Sequence, residues 1–332
     1  MDSFTQIVLG IATAEVIAGK QLKNKTFLYG AILGTLPDLD VVVGIFLSDV
    51  DGVAIHRGLS HSLLFFLLLS PLLGKLLTTL EKGNLTFRRA TSLVFWCLVT
   101  HVALDSFTSW GTQVLWPLDH RFALKTVFVI DPMYTVPLLL SLVCVWKNKD
   151  YVLRRKYVLR GLWISSGYLL LTCVLKLMAV QKFENALEQQ NIEYQELIVK
   201  PTAFNTILWN ANIATSKGYY LGEYSFFDTQ PVSFTFYKKD ATLEKALETS
   251  TDFQKLKKIS EGWYLVTQKN GQYYFNDLRF GLLNTSDEQL QFAFSYVFST
   301  NSQGAIVAKE VPKAKRDGKV LLQKIFTRLQ GN

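Results

Sequence analysis

In the first half of the chain apolar residues come in long runs separated by short polar segments, whereas beyond about Val180 the runs shorten and charge spreads evenly. A helix needs about 20 such residues to cross the hydrocarbon core of a bilayer. The runs predict six membrane spans, over residues 3–19, 27–47, 62–80, 91–110, 128–146 and 158–180. Pro37 interrupts the second, because proline lacks the N–H that a helix interior requires. The first has Asp2 before it and no basic leader, so it is expected to be retained rather than cleaved. Downstream the period changes. Residues 219–237 are rich in Tyr and Phe with partial alternation, and residues 262–275 predict two strands around Asn270-Gly271, a type I′ hairpin signal. A surface helix is predicted over 241–260 and a further strand over 289–299. The expected fold is a membrane α-helical bundle of five to six helices, residues 1–182, followed by a small soluble α+β domain with an antiparallel sheet, residues 183–332.

A hydrophobic content of 49% agrees with a membrane part joined to a soluble one, and the net charge of +8 adds orientation. Lys and Arg gather in alternate loops: Lys20, Lys23 and Lys25; Lys82, Arg88 and Arg89; and Lys147 through Arg160. By the positive-inside rule these loops face the cytoplasm, which puts both termini and the soluble domain on the extracytoplasmic side. Basic residues spread over such loops give no nucleic-acid surface, so membrane lipid is the expected partner. Cys97, Cys144 and Cys173 lie singly within predicted spans and form no redox or disulfide pattern.

Against this apolar background a few polar clusters stand out. An ionisable group within a span costs about 3 kcal/mol or more, which makes each a candidate functional residue. His101 and Asp105 are four apart and share one helix face, where they can reach one ion or form a buried hydrogen-bonded pair. His56 and His61 are five apart and straddle a loop and a helix start, where Gly58 permits a tight backbone and Ser60 is a candidate cap. Asp38 and Asp40 follow Pro37, as a turn signal or as ligands. Asp131, before Pro132, is a helix cap or a ligand, and His120 lies in a polar turn. In the six-span topology these residues converge toward the outer face. Asp38, Asp40, His56, His61, His101 and Asp105 are the candidate metal ligands. With no cysteine nearby, a nitrogen and oxygen set favours zinc or manganese, with magnesium or iron as alternatives.

Met1-Asp2-Ser3-Phe4-Thr5-Gln6 with Gly10, Gly34 through Asp40, His56-Arg57-Gly58-Leu59-Ser60-His61-Ser62, and His101 through Asp105 together resemble the YdjM-type inner-membrane metal-dependent hydrolases. The resemblance covers residues 1 to about 145 and continues loosely through Lys200–Asn205 and Leu208-Trp209. It implies a multi-pass protein of the bacterial inner membrane with a divalent-metal hydrolase site at the six candidate ligands. Many relatives carry His where this chain has Gln6, which implies a site altered here or completed by another residue. Zincin, nucleophile-elbow and phosphate-loop motifs are absent from the sequence. The expected chemistry is therefore metal-activated water acting on a lipid or phosphoester, with Asp38, Arg57 and Asp131 as candidate catalytic residues and Arg57 suited to a phosphate oxygen. Two alternatives come from other classes: an ion or metal transport protein, and a scaffold in which a metal only staples the helices.

Overall fold

A computed structural model describes residues 1–284, 291–312 and 318–332. The chain forms two compact units: Met1–Val41, Ile55–Val174 and Ala203–Asn205 in one, and Val42–Ala54, Leu175–Thr202 and Thr206–Asn332 in the other.

The first unit is built on helices α1 (Ser3–Leu22) and α2 (Lys25–Thr35), which lie backbone to backbone. A Cβ on Gly10 would stand 2.3 Å from the carbonyl oxygen of Gly30, and one on Gly34 would stand 2.5 Å from that of Gln6. Only glycine permits this approach, as at close helix crossings in membranes. After α2 the chain tightens into a 3-10 turn, Leu36–Leu39, and then α3 (Asp40–Gly44) and α4 (Asp49–Ile55). Helices α5 (Leu63–Leu80), α6 (Phe87–Asp105), α7 (Pro132–Lys147) and α8 (Tyr151–Gln189) follow. Side-chain caps start α1, α5, α7 and α8: Asp2 accepts from the Thr5 amide, Ser62 from Phe65, Asp131 from Met133 and Asp150 from Val152.

Among the described residues three helical runs are long and apolar enough to cross a membrane, Lys25–Gly44, Leu63–Leu80 and Tyr151–Gln189. They correspond to three of the six predicted spans. The other three segments are helical but fall short of that standard. In α1, Gln6, Thr13 and Glu15 sit among the buried residues, α6 carries Arg88, Arg89, His101 and Asp105, and α7 has only 16 residues. In α1, and at His101 and Asp105 of α6, polar side chains buried against neighbouring helices lower the hydropathy without exposing that polarity, whereas Arg88 and Arg89 are exposed at the start of α6.

In the second unit the soluble part is α+β, but with two four-stranded antiparallel sheets rather than one. The first sheet is a meander of β1 (Glu196–Pro201), β2 (Leu208–Ala214), β3 (Gly218–Ser225) and β4 (Phe234–Lys238). The tail of α8 covers it, burying Phe183 and Leu187 against Trp209 and Ile213. The predicted helix over 241–260 divides into α9 (Ala241–Leu247) and α10 (Thr251–Ile259), because the hydroxyl of Ser250 accepts from the Phe253 amide and starts a new helix. Next come β5 (Tyr264–Lys269) and β6 (Gln272–Asp277), joined as predicted through Asn270 and Gly271, both at positive φ. The short strands β7 (Leu282–Asn284) and β8 (Gln291–Phe292) pair with each other. Strands β9 (Ser295–Thr300) and β10 (Ile306–Glu310) complete the second sheet in the order β10-β9-β6-β5, and α11 (Gly318–Leu329) ends the chain. Within the predicted strand 289–299, residues 289 and 290 lie outside the described residues.

One segment crosses the sequence boundary. Residues Val42–Ala54 belong to the second unit, where Val50 is buried in a core with Phe253, Leu256 and Phe298. Asp49 accepts from the Glu310 amide at 2.9 Å, and Lys255 pairs with Asp51 at 2.5 Å. The Lys255 ammonium holds the Asp51 carboxyl below its ordinary range.

Candidate metal centre

Asp38, His61, His101 and Asp105 each offer one atom to a common point, and the four atoms lie within 4.8 Å of one another. The residues reach that point from the 3-10 turn after α2, from a second 3-10 turn (Leu59–His61) before α5, and from the last turn of α6. All lie at the end of the first unit where α1 and α5 begin and α6 ends. Nε2 of His61 stands 3.3 Å from Oδ1 of Asp38 and 3.6 Å from Oδ2 of Asp105. Nε2 of His101 stands 3.4 Å and 3.6 Å from the same two oxygens. Donors bonded to one ion at about 2.0–2.2 Å in a tetrahedral shell are about 3.3–3.6 Å apart, so these edges fit one divalent ion.

Hydrogen bonding around the histidines fixes which nitrogen faces the cluster. His101 Nδ1 lies 2.7 Å from the carbonyl oxygen of Gly34, which can only accept. Nδ1 therefore carries a proton, which leaves Nε2 as the nitrogen that can offer a lone pair to an ion. For His61 the same conclusion takes one more step. The Ser60 hydroxyl donates its only hydrogen to Oδ2 of Asp40 at 2.7 Å, so at 2.9 Å it must accept from Nδ1–H of His61. Both Nε2 atoms and Oδ2 of Asp105 are buried with no hydrogen-bond partner among the described residues. Acceptors that face one another without a proton between them repel, and a divalent cation turns that repulsion into coordination.

The far side of Asp105 is saturated. Its Oδ1 accepts from the α-amino group of Met1 and from the Gln6 amide at 2.9 Å. Gln6 thus holds a ligand from behind, and it also donates to the His101 carbonyl at 3.2 Å. Arg57 lies 3.1 Å from Oδ2 of Asp105 through Nε, without hydrogen-bond geometry, and donates from Nη1 to Thr108 at 3.0 Å. The residue at positive φ in this loop is Arg57 itself, at 59°, rather than Gly58. A non-glycine residue in that region marks local strain of a kind that gathers at functional sites.

Two of the six expected ligands, Asp40 and His56, lie outside the four-atom set. Asp40 accepts from the Arg57 amide at 3.0 Å and from Ser60, and takes the Nδ1 proton of His56 at 2.9 Å. It braces the loop that delivers His61. Ser62, not Ser60, caps α5. Asp131 is also outside the set: Met133 N–H and the Tyr168 hydroxyl occupy its oxygens at 3.0 and 2.8 Å. His120 stacks edge-on against Phe122. Ser60 and Gln6 are supports whose positions became evident only with their partners in place.

A family model described as YdjM inner membrane protein matches residues 1–181, more than half of the chain and all of the candidate centre. The chain belongs to the YdjM inner membrane protein family. Comparison with curated proteins and with solved structures gives no match. Family and spanning helices together make this a multi-pass inner-membrane protein, with a buried Asp/His/His/Asp cluster able to hold a metal.

In this YdjM family member, Asp40→Asn is expected to weaken metal binding by about 10–100-fold, the usual consequence of losing an outer partner of a ligand. Titration against a chromophoric chelator measures it, with helical content by circular dichroism as the control. An unchanged affinity would remove Asp40 from the support of the centre.

Proposed function

We propose that this protein is a membrane-bound, metal-dependent hydrolase that cleaves a phosphoester or lipid-type substrate at the outer face of the inner membrane. The observation that carries this is the convergence of four potential ligand atoms, from Asp38, His61, His101 and Asp105, at one end of the helical unit. Their mixed nitrogen and oxygen character favours zinc or manganese, with magnesium or iron as lesser fits. A divalent ion held by these residues would supply Lewis acidity toward an ester oxygen and toward the attacking water.

The chain's own residues supply the rest. His56 gives its Nδ1 proton to Asp40 and is about a quarter exposed, so its Nε2 is free to take a proton from an attacking water. Arg57 keeps a fixed positive charge beside Asp105, available to an anionic oxygen that reaches the centre. The basic ends of α1, α6 and α7 lie at the opposite end of the unit, which by the positive-inside rule supports a centre on the outer side. Leu39, Leu59 and Leu64 are exposed beside the ligand-bearing turns, as suits access from lipid.

The test is turnover by metal-replete protein in liposomes, offered labelled phospholipids and a soluble phosphodiester in parallel. Release of a hydrolysed product that chelation stops and metal restores supports the assignment. A fully loaded centre that hydrolyses neither substrate class would overturn it.

A further inference from the structure

At the other end of the helical unit α5 and α6 enclose a groove of about 290 Å³, lined by Leu67, Ser70, Thr91, Phe95 and Trp96, with Arg88 at its mouth. Two hydroxyls in it are anomalous. Helical Ser and Thr in this protein ordinarily donate to the carbonyl four residues earlier, as Thr13 does to Leu9, Thr78 to Gly74, Thr100 to Trp96 and Ser106 to Val102. Oγ of Ser70 and Oγ1 of Thr91 are buried with no partner among the described residues, and Ser70 is only 1% exposed. Pro71 has no N–H to give to the Leu67 carbonyl, which adds a backbone acceptor at the same level. A hydrocarbon-facing surface should not hold unpartnered polar groups unless a ligand satisfies them.

The mouth of the groove is built for an anion. α6 starts at Phe87, and its N-cap residue Thr86 makes no side-chain cap bond, unlike the caps of α1, α5 and α7. The start of α6 thus lacks a side-chain cap and carries Arg88, which lines the groove, an arrangement that attracts phosphate. By helix rise, Thr91 lies about 6 Å along α6 from Phe87 and Ser70 about 15 Å along α5 from Leu80, each measured from the basic end. From the basic end inward come the charge of Arg88, the Thr91 hydroxyl, and then Phe95 and Trp96 with the Ser70 hydroxyl at their level, an order that suits the phosphate, an ester carbonyl and the acyl region of a phospholipid.

We infer that the α5–α6 groove is a binding site for one anionic phospholipid, held by its phosphate at Arg88 near the start of α6 and by an ester carbonyl at Thr91, with its acyl region running past Ser70, Phe95 and Trp96. It is separate from the candidate metal centre and does not depend on the hydrolase assignment.

Native mass spectrometry of detergent-purified full-length protein, titrated with phosphatidylglycerol and with phosphatidylcholine of the same chains, tests it. Wild type should bind the first lipid at least tenfold more tightly, Arg88→Gln should remove most of that preference, and metal content should not change. A second readout is quenching by brominated-chain phosphatidylglycerol. The Trp96→Phe variant should lose a share of the quenchable emission, and Ser70→Ala/Thr91→Val should reduce quenching in the Trp96 protein. Equal binding of the two lipids, or an Arg88→Gln protein that prefers phosphatidylglycerol as wild type does, would overturn the inference.

Discussion

His101→Ala is expected to leave the purified protein folded but with less than a tenth of the metal that wild type carries, and to reduce metal-dependent turnover in the same proportion or more. The imidazole is one of four donors, it is 1% exposed, and its tautomer is locked by the Gly34 carbonyl, so nothing nearby can take its place. Losing only an outer partner of a ligand costs about 10–100-fold in affinity, so losing the ligand should cost more than that. The fold should survive, because removing His101 leaves Asp105 with its contacts to Met1, Gln6 and Arg57. Metal analysis by plasma mass spectrometry, beside a thermal unfolding curve, decides the matter. Wild-type protein purified without chelators and found free of metal, or a His101→Ala protein as well loaded as wild type, would sink the four-donor assignment.

Arg154→Leu should have the largest effect on stability. Arg154 on α8 reaches Glu15 on α1 with two nitrogens, at 2.8 and 2.7 Å, and its third nitrogen donates to Asn24 at 2.6 Å. Thr26 donates to the same carboxylate at 2.7 Å, and both charged side chains are at most 4% exposed. Removing one partner of such a pair leaves a buried charge without compensation and costs about 3–5 kcal/mol. Removing both restores neutrality, so Glu15→Leu/Arg154→Leu should recover most of the loss. Denaturant unfolding in detergent gives the comparison. A single variant as stable as wild type would mean that Glu15 is reached by water or is protonated. Because the pair lies toward the basic end of α1, metal content should not change in either variant.

How much of this was legible in the sequence depended on how local the determinant was. The i, i+4 spacing of His101 and Asp105 required only that residues 91–110 be helical, and the two do share one face of α6. The Asn270-Gly271 turn was legible for the same reason, since its left-handed backbone is a property of those two residues. Span counting was less secure, because hydropathy reads a buried Gln6 or Glu15 as though it faced lipid. The division between the four converging atoms and the bracing pair Asp40 and His56 was not legible at all. It depends on which way each carboxylate oxygen turns once Ser60, the Arg57 amide and the Gly34 carbonyl are in place. The second sheet was hidden because β6 takes as its neighbours both its hairpin partner β5 and the distant β9.

Residues Val42–Ala54 run from two positions after Asp40 to two positions before His56, and their anchor, Val50, is enclosed by residues as late as Phe298 and Ala308. That pocket does not exist until the ribosome has added roughly 250 further residues, some 10–50 s of synthesis at about 5–20 residues per second. Throughout that interval the stretches bearing Asp38 and His61 are joined by an untethered connection. That connection is thus among the first parts of the polypeptide to be made and among the last to be held in place.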